Sequence, residues 1–161
     1  MRRATGTGRD HAFAAAVGEH HAGLVRRLTA VIGDHEAALD LAQEAYLRAY
    51  RAWDRFDGTD ARAWIYTIGL RLAFNERKRR NRWNARIGPV DGPEPWIPSH
   101  DRELHEALGG LRREHRAAVL LSVIDGYTQA EIAAMLQVPP GTVASWLSRA
   151  KAQLREALRH D

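Results

Sequence analysis

The strongest chemical signal in this chain is a run of cations. Between positions 71 and 86 stand Arg71, Arg77, Lys78, Arg79, Arg80, Arg82 and Arg86, faced by a single acid, Glu76. A solvated helix face normally interleaves its charges, and like charges at this density repel one another. The imbalance points to a polyanionic partner, with nucleic acid first among them. A second signal lies at 128–154. Thr128 and Glu131 have the spacing of a capping box, in which each side chain satisfies a backbone donor at the helix start. A short apolar helix, a turn containing Pro139 and Pro140, and a second helix with a polar outer face follow. Such a pair can place its second helix in a DNA major groove and offer side chains from its first turns to base edges. The outward positions are Thr142, Ser145, Trp146, Ser148, Arg149 and Gln153: small hydroxyls allow close approach, and Arg149 can take a phosphate or a guanine. Eight histidines raise a third possibility, a metal site. Adjacent His20 and His21 point to different helix faces, and His100 and His105 lack a carboxylate cluster. Metal sites need three or four converging ligands, so neither a metal nor a cofactor is expected, and catalysis is not either.

The elements that must position these groups are helices. Hydrophobic residues make up 45% of the 161 positions and charged residues 27%, ordinary for a globular protein. That length suits one domain or two small ones, and two half-size bodies would each bury only about 60% of their unfolded surface. The chain has no cysteine, which excludes disulfides and thiolate chemistry. No apolar run approaches the roughly 18 residues needed to span a bilayer, and the start has arginines without a following apolar stretch, so a cytoplasmic protein is expected. Four of the six prolines (Pro89, Pro93, Pro95, Pro98) fall within 87–99. Proline blocks helix interiors and extends the residue before it, which makes this stretch a linker.

Residues 1–10 read as a disordered tail, 11–84 and 101–161 as two helical bodies, and 85–100 as the connector. In the first body, Phe13, Val17, Leu24, Leu28 and Ile32 form one stripe, loosened by Gly18 and Gly23. Gly33 breaks the chain and Asp34 is a good N-cap. A long amphipathic helix at 36–53 has Leu39, Ala42, Tyr46, Ala49, Tyr50 and Trp53 on its apolar face. After a loop at 55–59, where Gly58 is free to take positive φ, Thr59 or Asp60 caps a helix that buries Ala61, Trp64, Ile65, Ile68 and Leu72. In the second body, a helix with Leu104, Leu108 and Leu111 leads into an apolar helix at 114–124 containing Val119, Leu120, Leu121 and Val123. Ile132, Ala133 and Leu136 are buried in the short capped helix, and Val143, Leu147, Ala150, Leu154 and Leu158 form the apolar face of the last one. The fold class expected is all-α.

The run DGYTQAEIAAML (125–136) followed by PPGTVASWLSRAKAQL (139–154) resembles region 4 of bacterial sigma factors of the sigma-70 family, extracytoplasmic-function (ECF) group. DLAQEAYLRAYRAWDRF (40–56) and ARAWIYTIGLRLAFNERKRR (61–80) resemble region 2 of the same group, in the same order, with the proline-rich connector between them. The resemblance covers 11–160. It implies a factor that directs core RNA polymerase to promoters, region 2 melting and reading the −10 element and region 4 reading the −35 duplex. Asp40, Gln43, Glu44 and Leu47, on a different face from the apolar one, would then dock on a coiled coil of the polymerase β′ subunit. Asp57 and Gly58 would shape a pocket for an unstacked −10 base, with Arg62, Trp64, Thr67, Arg71, Asn75 and Lys78 along the strand. Thr142, Ser145, Trp146, Ser148 and Arg149 would face the −35 element, region 4 would also meet the β flap, and the linker with Asp91 and Glu94 would thread toward the active-site channel. An anti-sigma protein as inhibitor follows from the resemblance alone.

Four positions depart from the family pattern. Arg71 stands where asparagine is usual and Asn75 where aspartate is frequent, and Ala144 and Trp146 replace positions that are commonly basic. The promoter sequence preferred by the family therefore does not carry over. Trp64 also falls on the apolar stripe, which favours the core over DNA. A stand-alone helix-turn-helix regulator would share the C-terminal motif but has no reason to carry the region 2 pattern.

Overall fold

The computed structural model describes residues 6–87 and 102–159. Seven α-helices make up the described residues, with no strand among them: α1 (Gly6–Ile32), α2 (His35–Ala52), α3 (Ala61–Ile87), α4 (Arg102–Gly109), α5 (Arg113–Val119), α6 (Gln129–Leu136) and α7 (Pro140–Ala157). A 3-10 turn, Trp53–Arg55, follows α2, and a π-helical turn, Leu120–Ile124, follows α5. The linker prolines lie outside the described residues. The stretch 1–10, expected to be a tail, is helical from Gly6, and Arg9 fastens it by donating to Asp54 Oδ1 at 2.9 Å and to Tyr50 O at 2.7 Å.

Local chemistry sets the helix ends as the sequence leads one to expect. Gly33 takes φ 74° after α1, and the Asp34 carboxylate accepts from Ala37 N at 3.1 Å to start α2. Asp60, rather than Thr59, caps α3 by accepting from Ala63 N at 2.9 Å. The Thr128/Glu131 capping box is present, with Glu131 N donating to Thr128 Oγ1 at 3.2 Å and Thr128 N to Glu131 Oε2 at 2.7 Å. Helix α6 ends on Gln137 in the left-handed region (φ 55°), and Pro140 occupies the first turn of α7.

Helices α1, α2 and α3 form one three-helix body, and α4 to α7 form the other. Gly23 and Gly69 mark the crossing of α1 and α3, and both lie where a side chain has no room. A Cβ on Gly69 would stand 2.8 Å from Leu24 Cδ1, and one on Gly23 would strike the Tyr66 hydroxyl. Gly23 is thus a close-approach residue and not a loosening of the stripe.

One hydrophobic cluster runs through both bodies, from Leu24, Leu28 and Leu70 to Leu121, Ile132 and Val143. Helix α1 packs on α5 and α3 packs on α6. Accordingly the last turns of α1 are buried nearly all round, Arg27, Thr29 and Ala30 included. On α3, Tyr66, Leu70 and Ala73 are buried as well as Ile65, while Ala61, Trp64, Ile68 and Leu72 are only partly covered. Two departures from the expected faces follow from the ends of elements. The π-helical turn rotates Val123 to the surface at 70% exposure, and Leu158 lies just past the end of α7, 45% exposed.

Candidate nucleic-acid interface

Helix α2 offers a polar stripe on the face opposite its buried alanines. Ala38, Ala42, Ala45 and Ala49 are fully buried against α1 and α3, small enough to let the helices approach closely. Asp40, Gln43 and Leu47 are exposed, and Leu47 presents 54% of its surface. Glu44 is half-exposed and accepts from Arg48 Nε at 2.7 Å, one turn on. An exposed leucine ringed by polar groups is a surface for another helix, not a core position.

Aromatic rings gather where α2 ends and α3 begins. Trp53 stacks on Phe56 with centroids 4.8 Å apart, Trp64 lies 5.4 Å from Phe56 and 5.8 Å from Trp53, and Phe13 meets Trp53 edge-on at 5.2 Å. All of these rings are partly exposed. Trp64 is therefore at once a packing residue and part of a ring surface open to solvent. The adjoining loop is held by Asp57, whose carboxylate accepts from Thr59 N at 2.9 Å and Thr59 Oγ1 at 2.6 Å. Those bonds keep its pKa below the ordinary aspartate value. Gly58 takes φ 85°, which a β-carbon would disfavour. A fixed turn beside exposed rings can stack an unpaired base.

The polar side chains along α3 divide into two groups. Thr67 returns its hydroxyl to Ala63 O at 2.7 Å, and Asn75 is exposed. Lys78 and the rest of the basic run belong to the helical stretch that ends at Ile87, with their side chains outside the described residues. Arg62 and Arg71 instead engage the second body. Arg62 Nη2 donates to Asp125 Oδ1 at 2.7 Å and to Asp125 O at 3.2 Å, and its guanidinium lies over the Tyr66 and Tyr127 rings at 5.4 and 5.2 Å. Arg71 donates to Ala134 O at 3.1 Å and Met135 O at 3.3 Å, carbonyls at the C-terminal, electronegative end of α6.

In the second body the two helices of the hairpin stand as the motif requires. Ile132, Ala133 and Leu136 of α6 and Val143, Leu147 and Ala150 of α7 are buried in their contact. Ser148 and Arg149 are exposed, and Thr142, Ser145 and Trp146 are half-buried, with Trp146 packed against the core cluster. Gln153 is exposed, as its outward position leads one to expect, and its Nε2 donates to Gly110 O at 3.0 Å, tying α7 to the α4–α5 turn.

Sequence reasoning missed Arg27, Arg116, Asp125, Tyr66 and Tyr127. The Asp125 side chain is 5% exposed and accepts from Arg27 Nε as well as from Arg27 Nη2 at 2.8 Å. Arg116 is 2% exposed and donates to Ala30 O at 3.0 Å and Gly109 O at 3.2 Å, near the C-terminal ends of α1 and α4. The Tyr127 hydroxyl is buried, which pushes its pKa up to about 12. Arg27 lies between Leu24 and Leu28, and that placement was the one available sign that its face was covered. His21 is exposed, and its Nδ1 pairs with the Tyr46 hydroxyl at 2.7 Å. Among the described residues no three histidines or carboxylates converge as metal ligands, and no helix is long and apolar enough to cross a membrane.

These two bodies, one with a basic helix and an open aromatic turn and the other with a helix-turn-helix, define a class of modular DNA-binding transcription protein. Comparison with known proteins makes the class specific. Residues 16–83 match the family model described as Sigma-70 region 2, and residues 101–154 match Sigma-70, region 4. The ECF RNA polymerase sigma factor SigL of Mycobacterium tuberculosis is 36% identical over 152 residues, which cover 88% of this chain and 85% of that protein. The ECF factor SigE of Mycolicibacterium smegmatis is 34% identical over 150 residues, 86% of this chain and 58% of that longer relative. Among solved structures, the sigma factor RpoE from Bartonella quintana, in complex with the anti-sigma factor NepR, superposes with a TM-score of 0.76 at 24% identity. It covers 92% of this chain and 98% of that one. CnrH, in complex with the cytosolic domain of CnrY, gives a TM-score of 0.64 at 26% identity, with 96% and 92% covered. The chain belongs to the ECF group of RNA polymerase sigma factors, proteins that direct core polymerase to promoters.

Proposed function

We propose that the two bodies divide promoter recognition between them. On this reading the α2 stripe of Asp40, Gln43, Glu44 and Leu47 docks on the β′ coiled coil. The turn at Asp57 and Gly58, with Trp64, Thr67, Arg62, Arg71, Asn75 and Lys78, takes the melted −10 strand. Thr142, Ser145, Trp146, Ser148 and Arg149 meet the −35 duplex while the second body rests on the β flap. The observation that carries the reading is the pairing on α2 of a fully buried alanine face with an exposed Leu47 stripe, beside an open aromatic turn. A helix built that way has a partner for each face, and a neighbouring stacking surface suits the strand that a docked polymerase would melt.

The protein would act in the cytoplasm, without a catalytic step of its own. An anti-sigma protein is the expected inhibitor, in keeping with the complexes formed by RpoE and CnrH. Arg71, Ala144 and Trp146 give this factor a promoter preference of its own. Transcription with purified core polymerase on a randomised promoter library tests the whole proposal, and it should select one pair of −35 and −10 elements. Leu47→Arg should abolish transcription and core binding together while leaving the helical content intact. Selection of a −35 element alone, with no conserved −10 sequence, would sink the assignment of the α3 turn.

A further inference from the structure

One group of side chains on α1 belongs neither to the Leu47 stripe nor to the surfaces assigned to DNA. His21, Val25 and Thr29 recur every four residues and form a row along the helix, with Ala22 and Arg26 in the row beside them. The turn at Gly33 and Asp34 brings the start of α2 back over these rows, so that His35 and, one turn on, Leu39 stand opposite. Between the two helices these residues line a cavity of about 670 Å³, within the range of small-ligand pockets. Val25 and Thr29 are its most deeply buried residues, at 6% and 2% exposure, and Ala22 and Leu39 add apolar wall.

The polar groups around this cavity are held in place by their neighbours. Thr29 gives its hydroxyl proton to Val25 O at 2.7 Å, so in its 3.4 Å contact with His35 the imidazole is the donor, through Nδ1. Tyr46 of α2 meets Nδ1 of His21 at 2.7 Å. Burial, then Tyr66, pushes that phenol up to about 12, so it stays an O–H donor and leaves the ring proton of His21 on Nε2. Among the described residues neither imidazole Nε2 has a hydrogen-bond partner. Arg26 adds a permanent positive charge, its Nε donating to Ala22 O at 3.1 Å. Among the described residues no carboxylate lines the cavity. A fixed N–H donor and a guanidinium select an anion, and the apolar walls select one that carries a hydrocarbon body.

We propose that this cavity binds a small amphipathic carboxylate. Its oxygens rest on Nε2 of His21 and the Arg26 guanidinium, and its hydrocarbon part lies along Val25, Leu39 and the Thr29-anchored ring of His35. Hydrogen bonds from a charged donor to a carboxylate are the strong ones, and an apolar wall that is already formed adds burial without reshaping the helices. A ligand seated there ties the last turns of α1 to the first turns of α2, so occupancy stabilises the first body by mass action.

Octanoate is the probe, with octanol and octylamine as its neutral and cationic counterparts. The Tm of the full chain should rise with octanoate and level off, and the C2–H resonance of His21 should move over the same concentrations. Octanol should bind about tenfold more weakly, for want of the charge-assisted bonds, and octylamine should not bind. His21→Phe keeps the ring and removes the donor, so it should weaken octanoate about tenfold and leave octanol unchanged. Ala22 is exposed, so Ala22→Trp fills the cavity from its rim and should remove the response to both, with circular dichroism reporting an intact fold. Should that variant not fold, Leu39→Trp gives the same test from the α2 side. Octanol binding as tightly as octanoate would overturn the proposal, as would octanoate binding to Ala22→Trp as it does to the wild type. So would the absence of any saturable rise in Tm up to about 10 mM octanoate.

Discussion

Replacing Arg116 by methionine tests the most heavily connected polar group of the fold. The guanidinium is 2% exposed and reaches Ala30 O at 3.0 Å, Gly109 O at 3.2 Å, and Leu108 O and Leu111 O at 3.5 Å. The helices α1 and α4 end at Ile32 and Gly109, so their last carbonyls lack intrahelical donors and carry the negative ends of the helix dipoles. Hydrogen bonds from a charged donor contribute about 1.5–3 kcal/mol each in the best geometry, and a buried acceptor left without a donor costs about 1–3 kcal/mol. The two shorter bonds carry most of this, and the cost of burying the guanidinium offsets part. Methionine keeps the aliphatic volume and removes the donors, so we expect a loss of about 3 kcal/mol. For a chain of this size that lowers Tm by roughly 6–12 °C. Urea titration followed by far-UV circular dichroism measures the difference, and thermal melts check it. Because the bonds from Nε and Nη2 to Ala30 O join α1 to α5, the variant should also unfold in two steps where the wild type unfolds in one. A loss below about 1 kcal/mol with a single transition would mean that the carbonyls are satisfied without Arg116, and the reasoning would be wrong.

Thr128→Ala removes one half of the capping box and should cost about 1 kcal/mol in urea; an unchanged midpoint would show that Glu131 and solvent suffice. Gly18 and Gly69 both lie inside helices, but a Cβ on Gly18 meets nothing within 4 Å while one on Gly69 meets Leu24. Gly18→Ala should therefore stabilise by up to about 1 kcal/mol, and Gly69→Ala, overpacked by about 1–3 kcal/mol, should gain nothing or lose; equal effects from the two would contradict the packing at the α1–α3 crossing. His115 is buried, and burial, then Arg112 and Arg149, hold its pKa below the ordinary histidine value against the pull of Glu114. The unfolded chain then binds a proton that the folded chain refuses, so this stability is present above pH about 6.5 and is lost as pH falls toward the folded value. His115→Gln should flatten that part of the pH dependence of Tm between pH 7.5 and 5.5, and identical slopes in the two proteins would exclude His115 as its source.

The helices and their caps could be read from the chain because the signals are local. Asp34, Thr128 and Pro140 act on backbone groups within a turn of themselves. The alanine face of α2 was also legible in part, since Ala42 and Ala49 recur at helical spacing with Leu39 and Tyr46. What could not be read was the second covered face of α1 and of α3. A helix buried on two sides loses its amphipathic pattern, so Arg27, Tyr66, Leu70 and Ala73 went unassigned. The π-helical turn was hidden for a different reason. Leu120–Ile124 is a continuous apolar run, and the extra residue per turn that exposes Val123 and aims Asp125 inward leaves no mark in hydrophobic periodicity.

Arg71 shows how such a long-range contact changes the meaning of a local motif. By family pattern the position invites an asparagine that touches a base, and the arginine there looks like an altered reader. In the folded chain its guanidinium ends on the α6 carbonyls, a distance an asparagine side chain, three heavy atoms shorter, does not span. Two half-size helical bodies of this length are each marginal alone, and here they share one apolar cluster, so closure gives each the burial it lacks. The two roles for Arg71 make separate forecasts. As a promoter reader, Arg71→Asn changes the −10 sequence selected with core polymerase. As a cap on α6, Arg71→Asn lowers Tm. An R71N protein that changes neither would deny both roles.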